Sequence, residues 1–240
     1  MYYGYMDFAS LIVMIPAMIF VMVAQGMVKS NFARFSRVKS GTGLTGAEAA
    51  RRMLDQNGLG NVEIKAVAGS LTDHYDPRTK TVNLSEDVCN VDSVSAVSVA
   101  CHECGHAMQD ARNYFPLKFR GAIVPVVNIA SSMSWLLIIA GILLMTVNQV
   151  HSDLGMMLLN IGIVAFLIVI LFHLVTLPVE LNASKRAMQQ VRAMGLVAPE
   201  NIGGAKKVLT AAAMTYLGAL AMAIANLLRI LIITGVGRRD

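Results

Sequence analysis

Val91-Asp92-Ser93-Val94-Ser95-Ala96-Val97-Ser98-Val99-Ala100-Cys101-His102-Glu103-Cys104-Gly105-His106 is the stretch from which the rest of the chain is read. Apolar residues at 94, 97, 99 and 100 bury one face of a helix, and Asp92 is the expected N-cap. The helix ends in H-E-x-x-H. Histidines four residues apart, close to one turn of about 3.6 residues, leave the same face one above the other and are able to share one ion. Glu103, about 100° round the helix from His102, is placed to hold a water at that ion. The bare motif recurs by chance, and two histidines on a helix are often ordinary surface or core residues. Here they follow an apolar helix, where a charged turn costs several kcal/mol unless it is paired or binds metal. Zn²⁺ is therefore the expected cofactor.

Cys101 and Cys104 flank His102 with C-x-x-C spacing. At about 100° per residue, Cys104 points nearly opposite the midpoint of the two histidines and Cys101 some 120° away. Both read as small residues packing the back of the helix. Cys89 is the third and last cysteine, so no disulfide framework is implied and a reducing compartment is allowed.

Outward from the motif, the 240-residue chain is 55% hydrophobic and 15% charged, with 16 methionines and a mean hydropathy of +0.59. That is too apolar for a soluble domain of this length. The excess lies in four blocks, residues 8–28, 122–147, 154–179 and 208–235, each long enough for a bilayer that needs about 20 residues. The first lacks the basic start of a signal peptide and reads as an anchor. Lys29, Arg34, Arg37 and Lys39 follow it, Lys118 and Arg120 precede the second span, and Lys185, Arg186, Arg192, Lys206 and Lys207 separate the third from the fourth. The loop between the second and third spans has no basic residue. Residues 29–121 and 180–207 are thus expected in the cytosol, with the N-terminus outside. Arg229, Arg238 and Arg239 run against this pattern. The net charge of +5 reads as membrane-surface attraction; no basic stripe with interleaved aromatics suggests nucleic acid. A multi-pass cell-membrane protein with its site on the cytosolic side is the expectation.

Residues 29–121 have ordinary polarity. Thr45-Gly46-Ala47-Glu48 is a capping box for a helix running to about Gln56, with Ala49, Ala50, Met53 and Leu54 on its apolar side and Gly58 to end it. Residues 61–67 alternate as a strand, 71–75 extend into the turn Asp76-Pro77-Arg78-Thr79, and 80–84 leave it as another strand. The fold class that emerges is a mainly α membrane protein with about four transmembrane helices and a small α+β domain.

A catalytic zinc takes three protein ligands and keeps one open position. His102 and His106 leave the third to His74, Asp73, His173 or Glu180. His173 lies inside the third span, where a buried histidine is as well explained by a hydrogen bond. Glu180 follows Pro178 at the span's cytosolic end, and its alternative role is an interfacial pair with Lys185 or Arg186.

Three segments carry a family resemblance: residues 69–77 (Gly69-Ser70-Leu71-Thr72-Asp73-His74-Tyr75-Asp76-Pro77), 95–109, with the motif ending in Ala107-Met108-Gln109, and 177–187 (Leu177-Pro178-Val179-Glu180-Leu181-Asn182-Ala183-Ser184-Lys185-Arg186-Ala187). Together with the order of spans, they resemble the YugP-type neutral zinc metallopeptidases of bacterial membranes. More distantly, H-E-x-x-H followed by E-x-x-A resembles the gluzincins. The resemblance implies a gluzincin-like metallopeptidase domain, Glu180 as third ligand, and Glu103 as the general base for a zinc-activated water. Gluzincins commonly carry an aspartate four residues after that glutamate to orient the first histidine. Ser184 stands there in this chain, which leaves the orienting of His102 to a weaker partner or to another residue such as Asn182.

Peptide or protein would be the substrate and the lipid bilayer the surroundings. His74 or Tyr75 is the expected oxyanion donor, and the strand carrying them the expected edge for an extended substrate. A zinc hydrolase of another amide or ester, or a structural zinc scaffold, has the same ligand set; an open fourth position separates the scaffold from the enzymes. Gly141, Gly155, Gly162 and Gly218 suit close helix contacts within one chain as well as between chains, so the sequence assigns no oligomeric state.

Overall fold

A computed structural model describes residues 2–147 and 152–235. Most of the basic-free loop after the second span, together with Arg238 and Arg239, lies outside these residues. The described chain is mainly helical. Helices α1 (Tyr2–Phe35), α2 (Gly46–Gln56), α3 (Glu86–Cys89), α4 (Val94–Ala111), α5 (Phe115–Val147), α6 (Ser152–Ala193) and α7 (Ile202–Thr234) accompany strands β1 (Glu63–Val67), β2 (His74–Asp76) and β3 (Thr81–Ser85). Helices α1, α5, α6 and α7 each hold a stretch long and apolar enough to cross a membrane.

The chain divides into two compact units, and all four long helices contribute to both. The first takes the residues up to Met22, Phe119–Thr176, and those from Tyr216 on. Its buried apolar cluster is small, centred on Ile138, Leu159, Phe166 and Ile230. Backbones approach closely there: a Cβ at Gly141 would sit 2.7 Å from the Gly155 carbonyl oxygen and from the Leu159 nitrogen, and one at Gly162 would sit 2.7 Å from Ile138. Small residues that let helices touch are what association in lipid requires, since lipid tails offer no hydrophobic drive between helices.

The second unit, Val23–Lys118 and Leu177–Thr215, is built around α4. Thr45 and Glu48 close the capping box of α2, each accepting from the other's backbone N–H. The apolar side of α2 (Ala49, Ala50, Met53, Leu54) is fully buried in a core that also holds Val82, Leu84, Val94, Val97, Val191 and Leu196. The three-stranded sheet has the order β1-β3-β2, with β3 parallel to β1 and antiparallel to β2. Asp76 Oδ1 accepts from the Arg78 N–H at 2.8 Å and shapes the turn between β2 and β3.

One reading of the sequence changes here. The N-cap of α4 is Ser93, whose Oγ accepts from the Ala96 N–H at 3.1 Å; the Asp92 carboxylate instead accepts from the Ser40 N–H (3.1 Å) and hydroxyl (2.6 Å). Asp92 lost the cap because Ser40 offers two donors to a charged acceptor, and an uncharged hydroxyl one residue later reaches the helix amide equally well. Helix α6 runs unbroken through Pro178 to Ala193, across the expected boundary at 179/180 between the third span and the segment that follows it. A proline removes one helical hydrogen bond, and here the buried flanks Val179, Ala183, Ala187 and Val191 carry the helix past it.

Candidate metal centre

Everything that brings the site together belongs to the second unit. The Nε2 atoms of His102 and His106 lie 3.2 and 3.4 Å from one oxygen, Glu180 Oε2. The donor atoms of these three residues all fall within 4.8 Å of one another, and among the described residues they form the cluster suited to hold a metal ion. Glu180 is 2% exposed, and its carboxylate faces the two imidazoles. Three ligands of zinc-binding type converge on one point, with both rings turning Nε2 towards it, so the residues fit a Zn²⁺.

What holds α6 against α4 is visible at Gly105. A Cβ there would lie 2.6 Å from the Ala183 carbonyl oxygen, so only glycine lets the two backbones approach this closely. The far nitrogens of both rings are engaged as well. Ser184 Oγ lies 3.1 Å from His102 Nδ1, and Gln109 Oε1 lies 3.0 Å from His106 Nδ1. Ser184 itself therefore orients His102. Asn182 takes no part in that; its Oδ1 accepts from Gln109 Nε2 at 3.0 Å and from Arg186 Nε at 2.7 Å. Partners of this kind fix the ring orientation of ligating histidines.

Glu103 is buried beside the cluster. Burial pushes its carboxyl up to about 7; the Glu180 and Asp73 carboxylates add to the shift, while His102 and a hydrogen bond from the Tyr75 backbone N–H oppose it. Asp73, another sequence candidate for the third ligand, lies outside the cluster and accepts from the Ser85 N–H at 2.7 Å and from its hydroxyl at 3.1 Å. His173 belongs to the other unit, where its ring lies edge-on to Phe172. His74 is exposed, and its Nδ1 donates to the Thr72 carbonyl at 2.8 Å. The Tyr75 hydroxyl donates to Asp110 Oδ2 at 2.7 Å, where the Lys80 ammonium also binds; burial and that carboxylate drive the phenol well above its usual range. Cys101 and Cys104 are fully buried thiols, with Cys104 Sγ 3.7 Å from the Ala50 carbonyl.

Sequence reasoning did not single out Gly105 or Gln109. Their signal was helical spacing: position 109 continues the stripe 102, 106 by three residues, and position 105 lies about 80° from that stripe's midpoint.

The profile of the family described as "Putative neutral zinc metallopeptidase" matches residues 10–235. "Putative membrane protease YugP" of Bacillus subtilis (strain 168) is 46% identical over 217 residues, which is 90% of this chain and 92% of that protein. No solved structure matches the chain. A profile match running through both units, and a relative sharing nearly half the residues over nine-tenths of the length, show that this chain belongs to that neutral zinc metallopeptidase family.

Proposed function

We propose that this protein is a membrane peptidase in which His102, His106 and Glu180 hold a Zn²⁺ and Glu103 is the general base. The observation that carries the reading is the buried Glu103 carboxyl beside three convergent donors, a site with one acid-base group and one metal position. A cluster of three donors supports an enzyme over a structural scaffold, which is normally closed by four. Zn²⁺ in this position supplies Lewis-acid polarisation of a scissile carbonyl and acidifies the attacking water.

The remaining chemistry belongs to the chain. Glu103 takes the water's proton on a carboxylate oxygen and hands it to the leaving amine, a transfer suited to a carboxyl that burial pushes above its usual range. The Tyr75 backbone N–H favours the charged form of that carboxylate. The Tyr75 hydroxyl is committed to Asp110, so its part in the reaction is positional. His74 is the proposed oxyanion donor. Because its Nδ1–H is given to Thr72, the atom left to face the oxyanion is Nε2. β2 pairs with β3 on one side only, and its other edge is the proposed seat of an extended peptide. The basic residues of the second unit support a cytosolic site by the same argument as the sequence, and a zinc-ligating glutamate on a helix after H-E-x-x-H supports gluzincin-like catalysis.

Glu103→Gln tests the assignment. The variant is expected to keep one zinc per chain by elemental analysis and to cleave a quenched fluorogenic peptide about 10²–10⁴-fold more slowly. Cleavage at the wild-type rate would sink it.

A further inference from the structure

Gln109 engages both of its amide N–H groups and its amide oxygen inside the protein, and each bond ends on something that matters to the site. It is 0% exposed. Its Nε2 donates to the Val179 carbonyl at 2.7 Å and to Asn182 Oδ1 at 3.0 Å, while Oε1 faces His106 Nδ1 at 3.0 Å. The Val179 oxygen only accepts, so the amide nitrogen must face it and the amide oxygen must face the ring. That orientation makes Nδ1 the protonated nitrogen of His106 and leaves the Nε2 lone pair pointing at Glu180. On α6 the two contacts bracket residue 180: Val179 immediately precedes it and Asn182 follows two positions later.

We infer that Gln109 is a positioning residue for the metal centre, setting the His106 tautomer and clamping α6 so that Glu180 meets both imidazoles. The inference rests on the zinc-site reading above. Its two halves separate chemically. A carboxylate in place of the amide would keep an acceptor for His106, and on that account alone would strengthen the ligand. It would also set an oxygen against the Val179 carbonyl and Asn182 Oδ1, acceptor facing acceptor, and release α6. The amide is required because the clamp and the ring need opposite hydrogen-bonding partners from one side chain.

Zinc affinity, measured by competition with a chromogenic chelator in the detergent-solubilised full chain, distinguishes these roles. Gln109→Glu is expected to bind zinc about 10- to 100-fold more weakly than wild type, as is typical when a partner that orients a ligand is lost. Within Glu180→Ala, where no ligand on α6 remains to be placed, the same change is expected to cost less than about threefold, the non-additivity of residues acting as one unit. Affinity in Gln109→Glu equal to or above wild type, or losses that simply add in the double variant, would overturn the clamp. If Gln109→Glu does not fold, Asn182 reads the contact from the other side: Asn182→Leu should weaken zinc binding several-fold, whereas Asn182→Asp, which keeps the accepting oxygen, should stay near wild type. Equal losses in the two would also overturn it. A wild-type chain that binds no stoichiometric zinc would bring down the zinc-site reading itself, which the variants alone do not.

Discussion

The two units of this chain bury themselves by different means. In the unit holding Gly141, Gly155 and Gly162, helices meet backbone to backbone and large side chains such as Leu136 and Ile129 stay more than 60% exposed. In the unit holding α4, capped helices enclose Met53, Leu54, Leu84 and Val97 completely, and buried polar groups are joined in a network running from His102 and His106 through Ser184, Gln109 and Asn182. The first pattern suits a solvent of lipid tails, where exposing leucine is free of cost and close packing is what associates helices. The second suits water, where apolar burial drives folding and each buried polar atom must find a partner. Yet close backbone approaches of the lipid type recur in the water-type unit, at Gly46 against Val88 and at Gly105 against Ala183, and the second of these lies inside the metal centre.

Breaking that contact should give the largest combined effect, on the metal and on the fold together. In Gly105→Ala the new Cβ meets a backbone oxygen at 2.6 Å, which no rotamer change relieves, so α4 and α6 must separate. The expected outcome is loss of zinc affinity by at least 10-fold and destabilisation of about 1–3 kcal/mol, read by chelator competition and thermal unfolding. Full zinc affinity in this variant would show that the site does not depend on the close approach. Next in size is a charge on the apolar face. Leu136→Lys, midway along α5 and 61% exposed, should cost about 2.5–3.5 kcal/mol of insertion, measured as the inserted fraction in a membrane-integration assay. Leu71→Lys, similarly placed at 46% exposure but in the α4 unit, should stay within about 0.5 kcal/mol in thermal unfolding. Equal tolerance at both positions would erase the difference in solvent on which the comparison rests.

How far the sequence disclosed this arrangement follows from which forces are local. The four apolar blocks, the Thr45-to-Glu48 capping box and the His102/His106 pair depend on composition or on spacings of three or four residues, and these were legible. Glu180 was favoured over the other acids and histidines only by its place at the cytosolic end of the third span, and the family resemblance then singled it out, because 73 residues lie between it and His106 and no helical period spans that gap. Ser184 was read as a defect against the aspartate pattern, yet its hydroxyl reaches His102 at 3.1 Å. Asp92 and Ser93 both look like caps, and what decided between them was Ser40, 52 positions earlier. Gln109 was hidden for the same reason: its partners Val179 and Asn182 lie on α6, and one of them is a backbone oxygen with no side-chain signature.

Smaller effects sharpen the comparison from each side. Gly141→Ala places a Cβ 2.7 Å from the Gly155 oxygen and should lower stability in detergent by about 1–3 kcal/mol while zinc affinity stays at the wild-type value; a fall in zinc affinity would mean that this packing and the metal centre are coupled. The smallest change concerns Leu71, held at φ 57° between Gly69 and the strand that carries His74 and Tyr75. A leucine Cβ crowds the following carbonyl in this left-handed region, whereas asparagine tolerates it and glycine has no Cβ to crowd. Leu71 is also half-exposed, so its removal gives up little buried surface. Leu71→Gly is therefore expected to raise stability by up to about 1 kcal/mol, with the gain reduced by the extra freedom glycine brings to the unfolded chain, and Leu71→Asn by a few tenths. Thermal unfolding of the two variants beside wild type checks the sign. A loss in both would mean that Leu71 is held at positive φ by packing worth more than the strain, and that this loop belongs with the tightly enclosed core.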